Sequence, residues 1–230
     1  PTLVRFQRWL GANPPRWLCS RWAANPQHMR TMEKQVLFGT SNPAKIEYFR
    51  SYVEALPIKV LNPIDLGIKL SVEENGRSPQ DNAKLKAMAY YLESMIPTIA
   101  IDAGLRIEKF PEEKQPGMSV RRARESGNRK TDEELVEYYS QELDKVGGGS
   151  WGYWQIGIAF AITERNIKVQ EFSLRTYFTS KRSKYLTPGA PLSSLMIDAE
   201  TERYYSEMVG TERPEAAIVF DFMKRNIDTL

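Results

Sequence analysis

VLFGTSNPAKIEYFR, residues Val36–Arg50, decides the fold. Val36 to Gly39 are apolar or small and read as a short buried strand. Thr40 and Ser41 turn the chain, Asn42 is a good helix N-cap, and Pro43 stands where a missing N–H costs nothing. Ile46, Phe49, Val53 and Leu56 recur at helical spacing, so a helix runs to about Leu56, before Pro57. A strand, a tight polar loop and a helix N-terminus make an anion site, because free backbone N–H groups and the helix dipole both favour negative charge. Lys45 opposes that dipole from the first turn, which an anionic ligand explains better than helix stability does. The plainer reading is a strand–helix turn with a solvated lysine.

Outward from this stretch, 230 residues suffice for one good core or two closely packed lobes. No apolar run approaches membrane-spanning length, so no membrane partner is expected. The single Cys19 excludes an internal disulfide framework and fits a reducing, cytoplasmic setting. One histidine and one cysteine give no basis for a zinc site or a Cys/His nucleophile pair. The net charge is +3, yet residues 1–32 hold five arginines and no acidic residue, which leaves −2 for the rest. A mildly acidic body argues against nucleic acid as the partner. The leader, residues 1–32, also holds Trp9, Trp17 and Trp22 without sustained periodicity. It reads as an extension ahead of Met32, as an Arg-rich targeting segment, or as a Trp-bearing arm for the body or a partner. Residues 33–230 read as a single domain.

Ile58–Leu61 is a second strand. In SVEENGRSPQDNAKLKAMAYYLESM, residues 71–95, Asn75–Gly76 is a turn, and Ser78 caps a helix with Asp81 three residues on. Leu85, Met88 and Leu92 are expected on its buried face, while Asn82 and Lys86, four apart, share another. Thr98–Ile101 is a compact strand ending at Asp102–Gly104, and Leu105–Phe110 continues extended. Thr131 and Glu134 start a helix that buries Leu135, Val136, Tyr139 and Leu143. Trp154–Thr163 and Ile167–Phe178 form a long hairpin. A last helix starts near Thr211 or Glu212. The order indicates an α/β domain with a mixed sheet.

Three stretches can converge at one sheet edge: the Thr40–Lys45 loop, Glu73/Glu74 with Asn82 and Lys86, and Asp102. They supply cations, hydroxyls and amides for phosphate, and carboxylates for a hard divalent ion. Mg²⁺ takes one or two carboxylates plus phosphate oxygens, and a nearby carboxylate can orient or deprotonate water. The combination outlines a nucleotide-polyphosphate site. Taken singly, Asp102 can be a turn former, Glu73/Glu74 a solvated pair and Lys86 an exposed lysine.

TSNPAK at 40–45, EENG at 73–76, DNAKLKA at 81–87, IDAGL at 101–105 and PGMSVRR at 116–122 resemble, in order and spacing, the successive motifs of the inosine triphosphate pyrophosphatase (HAM1-like) family. The resemblance implies hydrolysis of non-canonical purine nucleoside triphosphates to monophosphate and pyrophosphate. It also implies an elongated mixed sheet flanked by helices with a cleft between two lobes, Mg²⁺ dependence, and a homodimer. By position, Glu74, Lys86 and Asp102 would be catalytic, with Glu74 and Asp102 on the metal. Thr40, Ser41, Asn42, Lys45, Asn82 and Arg122 would hold phosphates.

The chain departs from the family pattern at several positions. Ile101 replaces the first aspartate of the D-D-S-G-L motif, Ala103 its serine, and Ser41 the glycine after the first threonine. GAPLSSLMID at 189–198 stands where a Gly-Tyr-Asp-Pro-like segment is expected, and Glu212–Ala217 holds no counterpart of the Ser-His-Arg histidine. Two other readings therefore stand beside the hydrolase: a non-catalytic nucleotide binder on the same fold, and a binding module recruited through the leader.

Overall fold

The computed structural model describes residues 33–122 and 130–230, the Arg122 side chain excepted. The expectations for the leader lie outside the described residues. Six strands form one mixed sheet in the order β2-β1-β3-β4-β5-β6. The strands β1 (Lys34–Phe38), β2 (Ile58–Leu61) and β3 (Thr98–Ile107) are parallel, with Lys34 opposite Ile58 and Leu37 opposite Thr98. β4 (Gly149–Thr163) runs antiparallel to β3 and forms a hairpin with β5 (Asn166–Thr179); the short β6 (Met196–Ile197) pairs with the end of β5.

Two apolar cores occupy one face of this sheet. In the first, Val36, Phe38, Ile99, Ile158 and Phe160 pack against helix α1 (Pro43–Val53) through Ile46 and Phe49. The last helix, here αC (Pro214–Asn226), closes the same core through Val219, Phe222 and Met223. In the second, Leu105, Ile107 and Phe178 pack against the helix of residues Asp132–Lys145, here αB, through Leu135, Tyr139 and Leu143. The long strand β3 contributes side chains to both, so one backbone ladder runs through the two lobes.

The opposite face is covered by helix α2 (Pro79–Ser94). Of its buried residues, Ala83, Ala87 and Tyr91 are set against Ala100, Ala159 and Ala161. Small side chains on both surfaces let helix and sheet approach closely. Gly157 permits the same approach at the helix start, where an added Cβ would lie 2.4 Å from the Gln80 backbone. This corrects the expected buried face: Leu85 and Leu92 are exposed, because the alanine stripe wins the sheet. Asp102 is also corrected. It lies inside β3, opposite Gly157, because residues 98–107 form one uninterrupted strand rather than a strand and an extended tail.

Candidate functional site

The loop of residues 39–42 leaves the end of β1 beside β3, and α1 and α2 depart to opposite faces of the sheet. Crevices at such reversals, beyond the carboxyl ends of parallel strands, are where open α/β sheets bind ligands. Asp102 points to the α2 face; its neighbour Ile101 packs on the first core, as strand alternation requires. On α2, Lys86 stands above Asp102. Its Nζ donates to Asp102 Oδ1 at 2.9 Å and lies 3.3 Å from Glu74 Oε1. The Lys86 and Asp102 side chains are nearly buried, whereas that of Glu74 is half exposed. Two separate segments thus present carboxylates to one ammonium.

Glu74 is held there by its own loop. The Gly76 amide donates to Asn82 Oδ1 at 2.8 Å, and the Asn82 Nδ2 contacts the Met118 sulfur at 3.6 Å. Ser78 caps α2 by accepting from the Asp81 amide, while Asp81 accepts from Arg77 rather than from the cap, so the reciprocal box expected there is displaced by one residue. Asn82 was expected among the phosphate ligands. Its side chain is instead buried and fixes the Glu74 loop.

Lys45 completes the charge cluster. Burial, and then the like charge of Lys86, hold its ammonium below the ordinary lysine range, while Asp102 and Glu74 pull the other way and Arg121 adds to the depression. Asn42 Oδ1 accepts from the amides of Ala44 and Lys45, at 3.0 and 3.4 Å, and Thr40 Oγ1 accepts from the Asn42 amide at 3.2 Å. The Ala44 and Lys45 amides at the helix start are therefore bonded to the cap, and the cap is the Asn42 side chain that was expected to bind phosphate. Ser41 is exposed beside them.

The segment after β5 closes on this loop. Asn42 Nδ2 donates to the Gly189 carbonyl at 3.0 Å, and Arg121 donates to the same oxygen at 2.8 Å. Arg121 also pairs with Asp132 Oδ1 at 2.8 Å, and the Gly189 amide donates to Asp132 Oδ2 at 2.6 Å. Gly189 has φ +81°, and an added Cβ would sit 2.5 Å from Asn42 Oδ1. Arg121, Asp132 and Gly189 are not among the expected site residues, although Arg121 falls within PGMSVRR and Gly189 opens GAPLSSLMID. The signals were present in the arginine run after Pro116–Gly117, the start of a helix and a Pro-Gly turn, but nothing in them reported proximity. Arg122 lies in the turn Val120–Arg122. Among the described residues no three metal-ligating side chains gather.

Farther along α1, Arg213 lies buried. Its guanidinium stacks 3.9 Å from the Tyr48 ring and donates to Tyr48 Oη and the Tyr205 carbonyl. Glu215 beside it accepts from Tyr52, whose hydroxyl is driven upward by burial and by that carboxylate. Burial likewise pushes Tyr205 up to about 12. These contacts tie the start of αC to α1 where the sequence lacks the family's histidine.

A profile of the Ham1 family matches residues 36–150, half of the chain. The chain belongs to the Ham1 family. Ham1 relatives named dITP/XTP pyrophosphatase include one from Leptospira interrogans, 34% identical over 87 residues, or 38% of this chain and 43% of that protein. Another, from Bacillus subtilis, is 24% identical over 194 residues, covering 84% of this chain and 94% of that protein. The chain thus spans less than half the length of the Leptospira relative. The Ham1 fold itself recurs in solved structures. The Ham1 protein of Staphylococcus aureus superposes with a TM-score of 0.63 at 18% identity, covering 84% of this chain and 100% of that one. A HAM1 protein from Coxiella burnetii gives 0.65 at 16% identity, covering 85% and 99%.

Proposed function

We propose that this protein hydrolyses a nucleoside triphosphate to the monophosphate and pyrophosphate, with non-canonical purines of the dITP and XTP kind as substrates. The observation that carries this reading is the placement of Lys86 between Glu74 and Asp102, next to Lys45, on a Ham1 fold. Two lysines with an arginine behind them suit a chain of phosphoryl groups, and two carboxylates on one ammonium suit a divalent cation held partly by that chain. Only hard oxygen donors are offered, which favours Mg²⁺ over softer ions.

Glu74 and Asp102 are the residues that would hold the cation. When bound, Mg²⁺ supplies charge neutralisation on the phosphates and a Lewis acid beside the attacking water. Lys45 and Lys86 bind the polyphosphate and offset charge developing on the leaving pyrophosphate. Water adds to the α-phosphorus, the bond from that phosphorus to the bridging oxygen breaks, and Asp102 takes the water's proton. Ile101 packs on the other side of the sheet, so its lack of a carboxylate removes nothing from the face where Lys86 and Asp102 meet. This favours turnover over silent binding. The nucleotide pool of the cytoplasm is the setting this reading assigns.

The test is pyrophosphate release from ITP, dITP and XTP against the common triphosphates, with Mg²⁺. Asp102→Asn and Lys86→Ala each lower kcat/KM by roughly 10²-fold or more. Triphosphate binding without any pyrophosphate release makes the protein a nucleotide binder instead.

A further inference from the structure

Arg121 sits in a short turn, Val120–Arg122, that rests on αB. Asp132 and Tyr139 stand seven residues apart on that helix, two turns along one face. Asp132 Oδ1 accepts from the Arg121 guanidinium at 2.8 Å. Tyr139 Oη donates to the Val120 carbonyl at 3.2 Å, in the peptide just before Arg121. The peptide just after it is held as well, because the Lys130 amide donates to the Arg121 carbonyl at 3.0 Å. Both peptides that flank the arginine's Cα are therefore fixed from outside the turn, and the far end of its side chain is fixed by the same helix.

The Tyr139 hydroxyl is more than its ring requires. The side chain is buried in the second core, stacked parallel to Phe110 with centroids 6.4 Å apart and edge-on to Tyr138 at 5.2 Å. Phenylalanine would supply the same packing without the cost of burying a hydroxyl. Burial drives the phenol well above its ordinary range, so Oη keeps its proton and stays a donor. The acceptor it reaches is the carbonyl next to Arg121, and Arg121 is a cation whose charge is felt at Lys45. One bond thus joins the second core to the cationic end of the site.

We infer that Tyr139 is a positioning residue for the polyphosphate site: its hydroxyl holds the peptide before Arg121 and so aims that guanidinium at the phosphates beside Lys45. The inference rests on the proposed polyphosphate chemistry and adds to it a residue that touches no substrate. Asp132 sets the guanidinium and Tyr139 sets the backbone that carries it, so αB presents Arg121 as one rigid donor.

Tyr139→Phe removes the bond and keeps the ring. Titration calorimetry of the full chain with inorganic tripolyphosphate and Mg²⁺ reads the effect without any turnover. Tyr139→Phe should weaken the Kd about fivefold or more, and KM for ITP should rise by a similar factor while kcat stays within about twofold, because the binding lost is common to ground and transition states. In an Arg121→Ala background the same substitution should change neither the Kd nor KM. Phe110→Leu disturbs the packing of the ring and spares the hydroxyl; it should lower the thermal midpoint and leave the Kd at its native value. Circular dichroism confirms that each variant is folded. The inference is overturned by a native Kd in Tyr139→Phe, by an equal loss in the Arg121→Ala background, by an equal loss in Phe110→Leu, or by native protein that does not bind tripolyphosphate. Tripolyphosphate bound with no pyrophosphate released from any nucleotide overturns the hydrolytic reading instead, and the tripolyphosphate titrations still decide the role of Tyr139.

Discussion

Lys45 is a cation that its burial and Lys86 disfavour and that a polyphosphate would reward. Burial and Lys86 hold its pKa down, against the pull of Asp102 and Glu74. Between that lowered value and the ordinary lysine range, the unfolded chain carries more protons than the folded one, so this group's contribution to stability rises with pH across that window. Below it, the folded protein carries the charge at a cost. On the proposed function, bound phosphate would reverse the balance and draw a proton onto Lys45. Titration calorimetry with a triphosphate, in buffers of different ionisation heat, should show net proton uptake that grows as pH climbs toward the lowered pKa. Lys45→Met should abolish that uptake and raise the thermal midpoint of the ligand-free protein. No uptake in the native protein would count against a buried Lys45 at the phosphates. Asn82 acts one step back. Asn82→Ala leaves the part-buried Gly76 amide without its acceptor, a cost of about 1 kcal/mol. It also frees Glu74, so kcat/KM should fall at least tenfold. Asn82→Asp keeps an acceptor, and with it most of the stability.

At the scale of elements, the start of α1 has two tasks that mutation can separate. Asn42 Oδ1 caps the helix and Nδ2 reaches Gly189. Asn42→Ala loses both, with about 1 kcal/mol from the cap alone. Asn42→Asp keeps the cap but turns a donor into an acceptor facing the Gly189 carbonyl. Its melting temperature should therefore stay close to that of the native protein while the KM for triphosphate rises severalfold. A matched fall in stability for both variants would mean that the Gly189 contact, and not the cap, carries the stability of this helix start. This stretch was the most legible part of the sequence, because strand, cap, Pro43 and periodic apolar residues are local signals. The four-residue spacing that joined Asn82 to Lys86 was legible for the same reason. The buried face of α2 was not. Pattern reading ranks leucine and methionine above alanine, whereas a helix lying flat on a sheet selects for small residues. Asp102 was identified but misplaced at a strand end, since Asp-Ala-Gly resembles a turn until β4 pairs with it.

Across the whole domain, the site lies where the first and second cores meet along β3, and one peptide fastens the two. Gly189 accepts from Asn42, at the start of the first core's helix, and from Arg121; its amide donates to Asp132, at the start of the second core's helix. No local pattern announces this, because the partners are far apart in sequence and glycine offers no side chain to rank. The φ of +81° and the 2.5 Å approach to Asn42 Oδ1 make the position intolerant of a methyl group. Gly189→Ala should therefore shift the strap off Asn42 and release Arg121 from the carbonyl, with the Arg121–Asp132 pair left in place. Stability should fall by about 1–3 kcal/mol. Because β3 runs unbroken through both cores, unfolding in urea should remain a single transition by tryptophan emission and by far-ultraviolet dichroism. Affinity for triphosphate should drop by an order of magnitude, since Lys45 and Arg121 would no longer be held to one geometry. Two separated unfolding transitions in this variant would show that the strap, and not the shared strand, makes the two cores one cooperative body.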